Sequence, residues 1–337
     1  MAKVGVIGAG SWGVALSTVL DANGHEVTVW SCIEEEVRML NEEHEHKSKL
    51  PGIKLSKGIA FTTDLEEAIK EKEMVVVAVP SPYIRSTAKQ MQPFVQEGQL
   101  LVDVAKGIEE ESLMPMTEII AEEIPQAQVG ILSGPSHAEE VGRKMPTTIV
   151  AGAKKKSTAE HIQNIFMNSY FRVYTSPDVL GIGLGGSLKN VIALAAGMAD
   201  GLGCGDNTKA ALITRGIKEI SRLAETLGAY DETVMGLSGL GDLIVTCASV
   251  HSRNRKAGVL IGQGKSMQEA MDEVQMIVEG VYSAKAARKL AEQLNIELPI
   301  IDEVNRVLFE NKPAKDALLD LMQRDKKKEH TALTWEA

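Results

Sequence analysis

The chain has 337 residues, with 36 lysines and arginines against 46 aspartates and glutamates and a formal net charge of -10. That length is enough for two hydrophobic cores, and the acidic balance excludes a general nucleic-acid or anionic-membrane surface, so an anionic small ligand would need a locally basic site. Three cysteines without CxxC spacing (Cys32, Cys204 and Cys247), no secretory leader and no run expected to span a membrane exclude a disulfide-stapled secreted fold and point to a cytoplasmic protein without membrane insertion.

The first strand, KVGVI, runs into GAGSWG and then the apolar helical stretch VALSTVL. Gly8, Gly10 and Gly13 therefore stand as GxGxxG between a strand and a helix. In that place the first glycine allows a tight turn, the second a close backbone approach to a pyrophosphate, and the third close helix packing. A dinucleotide is the ligand this arrangement fits; a structural glycine turn is the plainer reading. The second strand, EVTVW, ends at Trp30, where an acid would hold a ribose 2′-hydroxyl or a base a 2′-phosphate. Ser31, Cys32 and Ile33 follow instead, then Glu34, Glu35 and Glu36, with Arg38 a turn later. The choice between NAD and NADP stays open here, and the three glutamates favour NADH modestly.

Residues 41–58 are polar and turn-rich and are expected to form a surface insertion, with His44 and His46 in a solvated loop rather than on a metal. Further buried runs, MVVVAV, LLVDV, VGILS and TTIVA, alternate with helical segments as in a parallel sheet with crossover helices. Three of their ends read as ligand loops: VAVPSPYIR, VDVAKGIE with Lys106, and SGPSHAEE with Gly134, Ser136 and Ala138. For Lys106 a surface lysine, and for SGPSHAEE a simple turn, are the alternatives. A helix near 157–168 and the strand FRVYT complete this part.

After Pro177 the strand pattern stops. The expected architecture is α/β: a Rossmann-like dinucleotide-binding domain over 1–180, followed by an all-helical substrate-binding domain over 181–337. In GGSLKN, Lys189 opens the apolar run VIALAAGM, where it either snorkels to water from a first helical turn or serves as a catalytic cation. GLSGLGDLIVTCASVHSRN gathers Asp242, Thr246, Ser252, Arg253 and Asn254 on a glycine-rich backbone; Arg253 is a planar fork suited to phosphate or a solvated turn residue. His251 is expected to pack or cap. The tail from Lys315 reads as one amphipathic helix and a charged end, with Lys326, Lys327 and Lys328 at a solvated helix terminus.

Taken together and in this order, GAGSWG, the AKG of Lys106, SGPSHAEE, GGSLKN, GLGDLIVTC and HSRN resemble the bacterial NAD(P)-dependent glycerol-3-phosphate dehydrogenase family almost end to end. The resemblance implies interconversion of dihydroxyacetone phosphate and sn-glycerol 3-phosphate for phospholipid synthesis, with NAD or NADP as cofactor. It implies that Lys189 is the catalytic lysine, and that Lys106 and Asp242 line the reacting centre. Gly134, Ser136, Asn190, Thr246, Ser252, Arg253 and Asn254 fall on substrate contacts, together with those three. Gly8, Gly10, Ser11, Trp12, Gly13, Lys106, Ala138, Arg253, and Ile277 and Glu279 of IVEG fall on the dinucleotide. Ser31 and Cys32 depart from the family, where a basic residue is common, and so does Gly183, where relatives often have a glutamate or glutamine. A β-hydroxyacid or 6-phosphogluconate type of dehydrogenase also joins a Rossmann domain to helices and uses a Lys-Asn pair, but HSRN and GLGDL count against it. A dinucleotide-sensing regulator would need a DNA-binding segment or a damaged lysine. The apolar faces of the helical part suggest a homodimer.

Overall fold

The computed structural model describes residues 1–329. Among them an eight-stranded sheet is built from β1 (Lys3–Ile7), β2 (Glu26–Trp30), β3 (Ile59–Thr62), β4 (Met74–Val77), β5 (Leu100–Asp103), β6 (Gln128–Ser133), β7 (Thr147–Gly152) and β8 (Phe171–Ser176). Its order is β3-β2-β1-β4-β5-β6-β7-β8. From β1 the chain adds strands in one direction and then crosses back to place β4 on the other side of β1. The crevice outside the carboxyl ends of β1 and β4 is therefore the topological switch point, where ligands bind in such sheets. Every residue of β4 and β5 is buried, as expected of central strands covered on both faces. The covering helices are α1 (Ser11–Ala22), α2 (Glu34–Glu43), α3 (Ile84–Met91), α4 (Met116–Glu123), α5 (Ala138–Gly142) and α6 (Lys156–Phe166).

Two expectations from the sequence do not hold in this part of the chain. TTIVA does not extend a purely parallel sheet: β7 is antiparallel to β6, and β8 is parallel to β7. The connection between β6 and β7 contains only the five-residue α5 and makes no crossover, so it stays at the carboxyl end of β6 and holds the SGPSHAEE loop at the ligand side. Residues 41–58 are not a purely surface insertion: His46, Leu50, Ile53 and Leu55 are buried, and His46 Nε2 lies 2.9 Å from Glu36 Oε1. The edge strand β3, short and only half-buried, is the element that the apolar pattern does not reveal.

From Val179 to Met322 the described chain is helical: α7 (Val179–Gly201), α8 (Asp206–Thr226), α9 (Asp231–Val234), α10 (Asp242–Ala248), α11 (Arg253–Gly262), α12 (Met267–Val274), α13 (Glu279–Leu294), α14 (Pro299–Phe309) and α15 (Ala314–Met322). Contrary to the sequence expectation, α7 is long and apolar enough to cross a membrane, but it is the buried axis around which the other helices pack. Its N-cap Asp178 accepts the Gly181 amide at 2.8 Å. Glycines let α11 lie directly on α7: a Cβ on Gly258 would stand 2.2 Å from the Leu194 carbonyl oxygen, and one on Gly197 2.2 Å from that of Arg255. Lys326, Lys327 and Lys328 are exposed beyond α15, and the last part of the charged tail, 330–337, lies outside the described residues.

Candidate active site

At the end of β1, Gly8 has φ +117° and donates its amide to the Trp30 carbonyl at 2.9 Å. A Cβ there would stand 2.9 Å from the Ala78 carbonyl carbon, and one on Gly13 2.0 Å from the Gly8 oxygen. A Cβ added at Gly10 would meet nothing within 4 Å, and as N-cap Gly10 leaves the first amides of α1 without a side-chain cap. Ser11 and Trp12 open that helix, and the buried Trp12 Nε1 has no partner. The result is open space over unpaired donors at a helix N-terminus, which fits the pyrophosphate of a dinucleotide. Ala138, the first residue of α5, is buried nearby in the sheet's ligand-side loops.

After Trp30, the Ser31 hydroxyl donates to Glu36 Oε2 at 2.5 Å, while Lys49 donates to Glu36 Oε1. Burial would raise the Glu36 carboxyl, but hydrogen bonds from His46, Lys49 and Ser31 bring it down to about 2.

The sheet and the helices meet around Lys189. Gly185 and Gly186 precede it on α7; a Cβ on the first would press to 3.1 Å on Gly239 and one on the second to 2.9 Å on Ser133 Oγ. These close approaches bring the end of β6 and the π-helical turn Leu237–Gly241 against the same turn of α7. Lys189 is 5% exposed and donates to Asp242 Oδ1 at 2.7 Å and to Thr246 Oγ1 at 2.6 Å. Lys106 reaches the other carboxylate oxygen, Oδ2, at 2.6 Å and the Gly134 carbonyl at 3.3 Å. One buried carboxylate thus holds two ammonium groups. Burial lowers the Lys189 ammonium to about 8, with Asp242 pulling it up and Lys106 pushing it down. Burial would raise Asp242, yet the charges and hydrogen bonds of Lys106 and Lys189 hold it below the usual carboxylate range.

Beside this centre, Asn254 Nδ2 donates to Asn190 Oδ1 at 2.9 Å and Asn254 Oδ1 accepts the Gly280 amide at 2.9 Å, leaving the buried Asn190 Nδ2 unpaired. Ser252 caps α11 by accepting the Arg255 amide at 3.2 Å, and Arg253 donates to the Ile277 carbonyl at 3.3 Å. Burial raises the Glu279 carboxyl, opposed by Arg253 and the Ser81 backbone amide. Ser136 turns its hydroxyl to the Gly134 carbonyl at 2.8 Å.

The chain matches the family described as NAD-dependent glycerol-3-phosphate dehydrogenase N-terminus over residues 3–159, and the corresponding C-terminus over 178–319. The chain belongs to the NAD-dependent glycerol-3-phosphate dehydrogenase family. It is 65% identical over 335 residues to a glycerol-3-phosphate dehydrogenase (NAD(P)+) of Agathobacter rectalis, covering 99% of this chain and 100% of that one. With the protein of the same name from Bacillus subtilis it shares 48% over 329 residues, 97% and 95% of the two chains. The crystal structure of glycerol-3-phosphate dehydrogenase from Coxiella burnetii superposes with a TM-score of 0.92 at 33% identity, covering 96% of this chain and 99% of that one.

Within this glycerol-3-phosphate dehydrogenase fold, Lys106, Gly134, Lys189, Asp242 and Thr246 form one hydrogen-bonded group, and Asn190 with Asn254 a second. Arg253 with Ile277 forms a third. The GAGSWG loop shares no hydrogen bond with them and forms a separate subsite. At Gly183, the departure from the family pattern, an added Cβ would meet Ile131 and Pro115 at ordinary distances, and the partners of Lys189 come from α10 instead. His251 neither packs in the core nor caps a helix; it is exposed, with its ring 6.0 Å from that of His137. Sequence reasoning passed over His137, whose Nε2 is buried without a partner and whose imidazole is pushed down by burial and by Lys189. It also passed over Asp103, at the end of β5, which burial pushes up to about 8 while its Oδ1 accepts the Ala105 amide at 2.9 Å. The strand end LLVD was the available signal for Asp103: an acid inside an otherwise apolar run.

Proposed function

We propose that the chain reduces dihydroxyacetone phosphate to sn-glycerol 3-phosphate, with Lys189 as the general acid and, in reverse, the general base. The observation that carries this reading is a buried lysine whose ammonium is held at about 8 beside a carboxylate shared with a second lysine. A bound reduced nicotinamide supplies the hydride to C2 of the substrate. As negative charge grows on the C2 oxygen, the Lys189 ammonium stabilises it and gives up a proton, leaving a neutral amine and a secondary alcohol. Asp242 orients both lysines and limits how far Lys189 falls, while Lys106 adds positive charge on the same side. In oxidation, neutral Lys189 takes the hydroxyl proton.

Arg253, with Ser252 and Asn254 at the start of α11, receives the substrate phosphate, where the guanidinium and the helix N-terminus both favour an anion. Asn190, Gly134 and Ser136 complete the substrate contacts, with Thr246 positioning Lys189. Gly8, Gly10, Ser11, Trp12, Gly13 and Ala138 hold the dinucleotide, with Lys106, Arg253, Ile277 and Glu279 toward its nicotinamide end. The dinucleotide-binding domain is 1–180 and the substrate-binding domain 181–337, with Lys106, Gly134 and Ser136 of the first reaching the substrate and Arg253, Ile277 and Glu279 of the second reaching the cofactor. The enzyme works as a homodimer in the cytoplasm, and its product supplies the glycerol backbone of phospholipids.

The test follows oxidation of NADH and of NADPH by dihydroxyacetone phosphate. Arg253→Ala is expected to raise KM for dihydroxyacetone phosphate by about tenfold to a hundredfold, as for loss of a charge-assisted hydrogen bond. Unphosphorylated dihydroxyacetone should lose little between the two proteins. Equal losses for both substrates would remove Arg253 from the phosphate.

A further inference from the structure

The carboxyl end of β2 carries a cluster that the reaction described above does not use. Glu36, 8% exposed, receives three donors: Ser31 Oγ on Oε2, and His46 Nε2 and the Lys49 ammonium on Oε1. Ser31 directly follows the last residue of β2, whose carbonyl accepts the amide of Gly8 in the dinucleotide loop at 2.9 Å. Lys49 is therefore two hydrogen bonds away from the strand end at which a doubly wound fold meets the adenosine ribose. Its side chain remains 32% exposed, so the ammonium keeps donors for a further acceptor.

The electrostatics of this corner differ from those of the bare sequence. Three consecutive glutamates after Trp30 would repel a 2′-phosphate, but only Glu34 and Glu35 are exposed, and Arg38 lies 3.7 Å from Glu35. Glu36 is turned inward and spent on Ser31, His46 and Lys49. A carboxylate engaged in this way is a poor acceptor for the ribose hydroxyls of NADH. The ammonium that it fixes is a good donor to a phosphate.

We propose that Lys49, delivered by the 41–58 segment and held by Glu36, is the group that receives the 2′-phosphate of NADPH, replacing a basic residue after β2. The proposal rests on the reading of this chain as an NAD(P)-dependent dehydrogenase and names the form of the cofactor it selects. Glu36 is the positioning residue. Without it the lysine has no fixed direction, and with it the cost of ordering a long flexible side chain is met before the cofactor arrives.

The adenosine end can be probed without turnover. Calorimetric titration of the full-length chain with adenosine 2′,5′-bisphosphate and with 5′-AMP should show tighter binding of the bisphosphate. Lys49→Met should close that gap by about tenfold to a hundredfold in the ratio of dissociation constants, and Lys49→Arg should keep most of it. Glu36→Gln removes the carboxylate that fixes the ammonium and should narrow the gap, though by less than Lys49→Met; a gap unchanged by Glu36→Gln would remove Glu36 as the positioning residue. Thermal unfolding of each variant establishes that it is folded. A wild-type protein that binds both probes alike, or a gap that survives Lys49→Met, overturns the proposal. So does an equal loss for both probes, which would make the cluster a structural staple. Turnover of dihydroxyacetone phosphate by the wild type is a separate measurement: its absence with both NADH and NADPH would sink the reaction and leave the bisphosphate preference to stand or fall alone.

Discussion

Lys189 has a pH dependence of definite sign. Its ammonium is lowered to about 8 by burial, so the neutral base becomes available as pH rises through that value. The rate of glycerol 3-phosphate oxidation is expected to rise through about pH 8, and that of dihydroxyacetone phosphate reduction to fall above it. Lys189→Ala should lower kcat on the order of a hundredfold or more in both directions while dinucleotide binding, measured by fluorescence titration, persists. A kcat near that of the wild type in a folded variant would remove the lysine from the chemistry. Asp242→Asn tests the carboxylate separately. It takes away the larger of the two charges that pull Lys189 up, the other being Glu279, while leaving Lys106, which pushes it down. The oxidation profile of that variant should therefore shift toward acid, and a profile unmoved or shifted toward alkali would show that Asp242 does not set the basicity of the lysine.

Helix-on-helix contact positions the groups proposed to bind substrate, because α11 starts at Arg253 and is fixed by glycines later along its length. A side chain at Gly258 would meet the Leu194 carbonyl oxygen at 2.2 Å and push α11 off α7. Gly258→Val is expected to destabilise by about 1–3 kcal/mol, read as a fall in Tm, and to raise KM for dihydroxyacetone phosphate through displacement of Arg253. Gly205→Ala, whose added Cβ meets nothing within 4 Å, is the control and should stay within about 0.5 kcal/mol of the wild type. A Gly258→Val protein as stable as the control would show that the two helices can separate freely. The same elements mark what a single sequence reveals. Central strands such as MVVV and the glycine loop between β1 and α1 are legible because their signals are local and continuous. The edge strand IAFT is not, since it is short and half-buried, and the antiparallel turn of β7 depends on a connection whose direction no periodicity encodes. His46, Leu50, Ile53 and Leu55 are buried without helical or strand spacing, so a polar composition hid them. The lysine pair needs contacts across 53 and 136 residues of chain, which only the assembled fold supplies; before it, motif order pointed to the residues but not to their sharing of one carboxylate.

The whole molecule carries buried acids whose titration opposes its folding. Burial raises Glu219 from 4.5 to about 7 and Asp103 from 3.8 to about 8. The folded chain then keeps protons that the unfolded chain releases, so this contribution falls as pH rises from about 4 to about 8. Glu36 acts in the reverse sense: brought down from 4.5 to about 2, it stabilises above 4.5 and loses that contribution as pH falls toward 2. Lys189, lowered from 10.5 to about 8, makes stability recover between those two values, because there the unfolded chain binds the extra proton. The ligand-free protein should therefore be most stable near pH 5 and pass through a trough near pH 8, the range in which Lys189 becomes neutral and can act as a base. Glu219 isolates one part of this curve. Neither lysine is among its partners: it accepts the Ile300 amide at 2.9 Å and the Ile301 amide at 3.2 Å at the start of α14. Glu219→Gln keeps a carbonyl oxygen for those amides and removes the titration. Its Tm should fall less than that of the wild type between about pH 5 and pH 7, a difference on the order of a few kcal/mol in unfolding free energy. Parallel curves for the two proteins over that interval would mean that Glu219 stays ionised in the fold and that the helix N-terminus alone compensates its burial.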